Sequence, residues 1–203
     1  MSGERGTRDA LLGLFENRAF GFYVGTRVTA MAGMAVQTAA LSWQVYALTG
    51  SALPLAFLGL VRFVPSLLIS FIGGAVADTR DRRVVIAISQ IAPLGTSLVL
   101  AAMTVSETVD LTAIYLSVAL LGVAGAFEGP ARAALLPLVV PRQSFQRAVA
   151  LTTTVQQLAG VLGPAIAGVI MAELGVAPAY LFHAVLVVLG LVFLAGMQLQ
   201  AER

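Results

Sequence analysis

Long apolar runs separated by short polar connectors set the pattern of this chain. The runs cover roughly residues 20–46, 53–77, 84–105, 111–127, 149–172 and 180–199. At about 1.5 Å of rise per helical residue, each is of the length needed to cross a bilayer core about 30 Å thick. An unpaired backbone group in lipid costs several kcal/mol, so every run is predicted to be helical. The connectors are Leu48-Thr49-Gly50-Ser51, the charged turn Asp78-Thr79-Arg80-Asp81-Arg82-Arg83, Ser106 to Asp110, a longer stretch from Glu128 to Arg147, and Glu173 to Pro178. The pattern predicts an all-α membrane protein of six transmembrane helices. An N-terminal arm (residues 1–19) and a short tail (200–203) flank it.

Composition narrows the class. Of 203 residues, 59% are hydrophobic and 11% charged. Soluble domains carry about 25% charged residues, so an ordinary globular fold is excluded. Cysteine is absent, which removes disulfides, thiolate metal sites and cysteine nucleophiles. The single histidine, His183, argues against a histidine-built metal site. The net charge of +2 and pI near 9.5 do not indicate nucleic acid, because the arginines are scattered over the connectors. No phosphate-cradling Gly-x-x-x-x-Gly-Lys, no Gly-x-Ser-x-Gly and no His-Glu-x-x-His occurs, so no cofactor, no metal and no enzymatic activity are expected.

Charge also sets the expected topology. Every basic residue is an arginine, and all but Arg27 and Arg62 lie outside the runs: in the arm, the 78–83 turn, the 128–147 stretch or the tail. The 1–2, 3–4 and 5–6 connectors carry only Glu107, Asp110 and Glu173. By the positive-inside rule this alternation places both termini in the cytoplasm. The first 18 residues are polar and mixed in charge, so no signal peptide is expected and insertion starts with the first run.

A charge within a span is costly and usually faces a partner or a watery cavity. Arg62 lies deep in the second run and is the first candidate for substrate or coupling contacts, above all with an anion; a structural pair is the equal alternative. Arg27 sits in the inner third of the first run and Glu128 at the inner end of the fourth. They can pair, or Arg27 can snorkel inward. Gln37 and Gln44, seven residues apart, share one helix face, and Gln156 is a candidate to join them at a cavity. Each is equally a candidate for interhelical hydrogen bonding. His183 reads as a packing or interfacial residue.

Four stretches resemble a known family. Gly74, Val76, Ala77, Asp78, Arg82, Arg83 and Ile86 resemble the loop signature of the major facilitator superfamily, Gly-x-Leu-Ala-Asp-Arg-x-Gly-Arg-Arg/Lys-x-x-Leu. Val76, Thr79 and Asp81 replace Leu, Arg and Gly there. Ala159-Gly160-Val161-Leu162-Gly163-Pro164-Ala165-Ile166-Ala167-Gly168 looks like the antiporter motif of its exporters. Gly129-Pro130-Ala131-Arg132 to Pro137 and Tyr46 to Ser51 resemble the branch of enterobactin-type siderophore exporters and macrolide efflux pumps. The arginine motif of the fourth span is not matched, since Val118 and Leu121 stand at its polar positions.

The resemblance implies one six-helix half, built as a 3+3 inverted repeat, of a transporter that works by alternating access. It implies gating roles for Gly74, Asp78, Arg82 and Arg83 and a bent, closely packed helix at Gly163, Pro164 and Gly168. It also implies export of a siderophore or macrolide-like drug coupled to an ion gradient, with the proton as the expected ion. The partners would be the bilayer, a small-molecule substrate and a second half: a C-terminal half, a homodimer mate or a separate chain. The site would be the inner (plasma) membrane, and no nucleic acid is expected. A non-transporting membrane scaffold and an intramembrane enzyme remain as alternative functions.

Overall fold

The computed structural model describes residues 18–140 and 142–197. Among them the chain forms helices and no strand: α1 Arg18–Thr49, α2 Leu53–Thr79, α3 Arg82–Ser89, α4 Ile91–Val105, α5 Leu111–Val139, α6 Phe145–Leu174 and α7 Val176–Gly196. A single 3-10 turn, Arg142–Ser144, precedes α6. Five stretches are long and apolar enough to cross a membrane: α2, α3 with α4, α5, residues 142–174, and α7. The protein is a multi-pass membrane protein. Helix α1 is long enough but carries more polar residues, Arg27, Gln37 and Gln44 among them. The arm before Arg18 and the tail from residue 200 lie outside the described residues.

Two features depart from the hydropathy pattern. The third run is two helices that meet at Gln90. Pro93 has no backbone N–H to give the carbonyl of Ser89, and its ring crowds that position, so the helix is interrupted there. The stretch from Glu128, read above as a connector, is instead helical to Val139, with Pro130 and Pro137 inside α5. The run Ala131-Arg132-Ala133-Ala134-Leu135-Leu136 explains this. Ala131, Leu135 and Leu136 recur at helical spacing and are all buried.

Helix ends are set locally. Asp110 precedes α5 and accepts a hydrogen bond from the amide of Ala113 at 2.8 Å, a side-chain cap. Asp81 does the same for α3 through the amide of Arg83, at 2.9 Å.

Helices α2 and α5 make the closest approach. Tyr115 Oη donates to the carbonyl of Pro54, and the contact then advances along both chains in one direction, so the two run parallel. A Cβ added at Gly122 would lie 2.3 Å from the carbonyl oxygen of Arg62, and one at Gly73 would lie 2.2 Å from that of Ala126. Only glycine permits backbones this near. Helix α1 is covered by α7 and α6, while α4 packs on α7. Two apolar clusters result. One gathers Phe20, Tyr23, Ile86, Leu135 and Leu194, and the other Val36, Leu41, Leu100, Ile114 and Tyr180. By contrast α2 buries only Gly73 and Ala77 within the chain.

Glycines 73 and 74 give a matched test. Gly73→Ala should destabilise the bundle by about 1–3 kcal/mol, the usual cost of forcing atoms into a packed contact. Gly74→Ala, whose added Cβ would meet nothing within 4 Å, should leave stability unchanged. Thermal unfolding of the two variants in detergent reads the difference, and equal melting temperatures would contradict the packing described.

Candidate functional site

Between the two apolar clusters the bundle holds a cavity of about 210 Å³ with charged side chains in its wall. Along α1 the first cluster ends near Tyr23 and the second begins at Val36; Arg27, Met34 and Gln37 line the gap. On α5 the gap is lined by Leu121 through Arg132, on α7 by His183 and Val187, and at the α3–α4 break by Gln90 and Pro93. Helix α2 contributes Arg62. At about 1.5 Å per residue, Arg27 and Arg62 each stand about 14 Å from the first residue of their helices. Because α1 and α2 run in opposite directions, both arginines reach the middle of the bundle.

One charge in the cavity is compensated. Arg132 Nε donates to Glu128 Oε1 one turn earlier on α5. The same oxygen accepts from Gln90 Nε2 at 2.8 Å. Arg132 Nη1 also reaches Thr26 Oγ1 at 3.3 Å, and the residue is only 5% exposed. Helical spacing places the pair, since residues four apart stack on one face. The break at Gln90 frees that residue to turn its amide to Glu128.

The other two cationic groups are differently placed. Arg62 Nη2 donates to the sulfur of Met34 at 3.3 Å, a weak acceptor. Arg27 Nε is buried without a hydrogen-bond partner. Neither forms an ion pair among the described residues. Glu128 therefore pairs with Arg132, not with Arg27. Three arginines against one carboxylate leave the cavity with two positive charges in excess.

The glutamines divide. Gln37 Nε2 donates to Ser97 Oγ at 2.9 Å, and Ser97 Oγ lies 2.5 Å from His183 Nδ1. Gln44 Nε2 donates to Thr104 Oγ1 at 2.8 Å, while its Oε1 accepts from Tyr180 Oη at 2.7 Å. The seven-residue spacing on α1 is matched by the seven-residue spacing of Ser97 and Thr104 on α4. Two polar layers thus tie α1, α4 and α7 together, and only the first borders the cavity. Gln156 is exposed on α6 and does not join them.

The sequence had not singled out Gln90, Arg132 or Ser97. The Glu128–Arg132 spacing was a usable signal for the pair, hidden by reading the stretch as a connector.

The resembling motifs lie elsewhere. Asp78 is exposed near the end of α2 and makes no hydrogen bond or ion pair among the described residues. Asp81 takes the local contacts, capping α3 and lying 3.7 Å from Arg83. Arg83 Nη1 also donates to the carbonyl of Met197 at 2.7 Å, which ties α3 to the end of α7. Arg82 is half-buried, with its Nε unbonded. On α6, Gly163 packs on Ala35, whose Cβ would lie 2.3 Å from an added Cβ. Pro164 and Gly168 are exposed.

Comparison with known proteins bears on what this arrangement does. A family described as transmembrane secretion effector matches residues 12–203. Over 133 residues the chain is 32% identical to a staphyloferrin A transporter of Staphylococcus aureus (strain NCTC 8325 / PS 47). That stretch covers 65% of this chain and 34% of the relative, so the match spans about a third of that protein's length.

Glu128→Gln should destabilise the fold by about 3–5 kcal/mol, the cost of leaving a buried charge without its partner. Glu128→Leu with Arg132→Met should cost much less than the single change, since both charges leave together. Denaturant or thermal melts in one detergent compare the two; equal losses would remove the pair as the anchor of this region.

Proposed function

The chain belongs to the transmembrane secretion effector family of major facilitator transporters, a family of transporters and not of enzymes, and from that membership we propose that it forms half of an exporter. The observation that carries the reading is a charged cavity placed between two apolar clusters at mid-bundle, where intramembrane charge is too costly to serve as filler. The cargo is a small molecule of siderophore or macrolide type, moved outward by alternating access and driven by protons. The family match and the staphyloferrin A transporter likeness support this.

We count α1 as a sixth span. Its glutamines are buried against α4 and α7, so its polar residues need not meet lipid. With six spans, arginine-rich turns and tail fall on one side, which supports an inner (plasma) membrane protein with both termini in the cytoplasm. The 3+3 inverted repeat rests on the family alone.

The second half is a C-terminal half, a homodimer mate or a separate chain. Supporting it are the apolar faces that α2 and α6 leave open: Phe71 is 85% exposed and Val161 74%. Asp78, Arg82 and Arg83, with Gly74, form the gate at the inner surface. Gly163, Pro164 and Gly168 shape the face of α6 that works against the second half.

The test is efflux from vesicles reconstituted with this chain and loaded with a fluorescent macrolide. A proton gradient should accelerate efflux, and a protonophore should abolish it. No gradient-dependent efflux would return the protein to a non-transporting scaffold. Asp78→Asn should slow efflux without lowering the melting temperature, and wild-type flux in that variant would remove the gating role.

Orientation has its own test, made simple because the chain has no cysteine. A cysteine placed at Ser51 or Thr108 should react with a membrane-impermeant maleimide added outside intact cells. One placed at Thr79 should not react. The reverse pattern would invert the topology.

A further inference from the structure

The excess of positive charge in the cavity points to the kind of molecule it holds. We infer that the cavity between α1, α2 and α5 is a binding site for a small polycarboxylate, with Arg27 and Arg62 as the residues that take its carboxylates. The inference rests on the transport reading above and deepens it, by naming an anionic class of cargo that the cavity takes.

Three observations lead there. First, Arg27 and Arg62, on two neighbouring helices, line one half-open cavity. Second, their hydrogen-bonding capacity is unspent. A guanidinium offers five N–H donors, yet Arg62 gives one to a thioether and Arg27 Nε is buried with none. Third, the hydrogen bonds of the carboxylate in the cavity are already taken. Glu128 is held by Arg132 on its own helix and by Gln90 across the break, and its charge reaches Arg27 and Arg62 only at longer range.

A structural role for these arginines would show as pairing, and the fold pairs such groups elsewhere. Arg132 has Glu128, and Gln44 has both Thr104 and Tyr180. Within the cavity, two guanidinium groups without a carboxylate of their own, beside a third that has one, fit a site for an outside partner. Carboxylates suit it because the planar fork of arginine meets them with two parallel hydrogen bonds. Two surplus charges call for at least two carboxylates on one ligand. The remaining walls, Met31, Leu121, Ala124 and Val187, accept an apolar backbone between those carboxylates.

Such a site predicts an inverse relation between stability and binding. Partly buried charge without an ion-pair partner destabilises the empty protein, so removing it should help the fold while harming the function.

The experiment uses the full chain in detergent at constant ionic strength, with citrate as probe and acetate as the monocarboxylate control. Wild type should gain melting temperature with citrate and much less with acetate, and calorimetry should give a saturable isotherm. Arg27→Gln and Arg62→Gln should each raise the melting temperature without ligand and weaken citrate binding at least tenfold. Arg62→Lys, which keeps charge but loses the fork, should bind citrate between wild type and Arg62→Gln. Loss of melting temperature in both glutamine variants would make the arginines structural and overturn the site. Citrate binding that is absent, or unaltered in both variants, would overturn it as well.

Vesicle efflux separates this failure from failure of the transport reading. A chain that expels a neutral macrolide but does not bind citrate is a transporter without the anion site. A chain that binds citrate through Arg27 and Arg62 but moves nothing keeps the site and loses the transport reading.

Discussion

A charged group at the centre of a membrane bundle must be paired, wetted or left as a cost, and this fold is arranged around that constraint. Arginine at a helix centre costs roughly 2.5–3.5 kcal/mol on insertion scales and more on an isolated helix. Three arginines converge here. The chain resolves one of them completely: α5 continues past Glu128 as a helix, so Arg132 falls one turn away and the pair closes. The α3–α4 break at Gln90 adds an amide to the same carboxylate. The other two remain open toward the cavity, which lies between the two apolar clusters.

The uncharged polar residues follow a different logic. Gln37 and Gln44 sit in the same low-dielectric interior, but both find partners: Gln37 on α4, whose Ser97 meets His183 of α7, and Gln44 on α4 and α7 directly. These two layers fix the relative register of three helices, and a one-residue slide would break both together. Apolar packing alone would tolerate such a slide better, since lipid tails and side chains are equally apolar and give little preference among registers. The polar layers therefore specify the register of the bundle.

Much of this was legible along the chain. Apolar length marked the spans, because backbone groups in lipid leave no alternative to helix. Arg62, Arg27 and Glu128 stood out because charge within an apolar run is rare. What one sequence does not carry is which groups meet. Glu128 was matched to Arg27 by depth, whereas its partner stood four residues away, in a stretch whose Gly129-Pro130 and arginines resembled a connector. Pro130 lacks an N–H, but α5 absorbs that loss as other membrane helices do. The same misreading counted Arg132 as a surface charge. His183 was read as packing, and its contact with Ser97 depends on α4 and α7 lying side by side, which hydropathy does not report. The matched spacings of Gln37 with Gln44 and Ser97 with Thr104 did hold that adjacency, but only once parallel helices are assumed.

The distribution of close contacts also bears on how such a bundle would move. Helices α2 and α5 touch backbone to backbone at Gly73 and Gly122, and α6 touches α1 at Gly163 and Ala35. Contacts this near leave no room for one helix to slide past its neighbour without opening both. Internal rearrangement is therefore the expensive route. The bundle is better suited to turn as one body against something that covers α2 and α6, whose apolar faces the chain leaves open. In that motion the cavity would change its access without changing its walls, and Arg27 and Arg62 would carry their charge from one side's water to the other's with their local geometry intact. Rigid-body rocking around a fixed site is a common form of alternating access, and under the transport reading proposed above the glycine contacts that bind α2 to α5 would favour it.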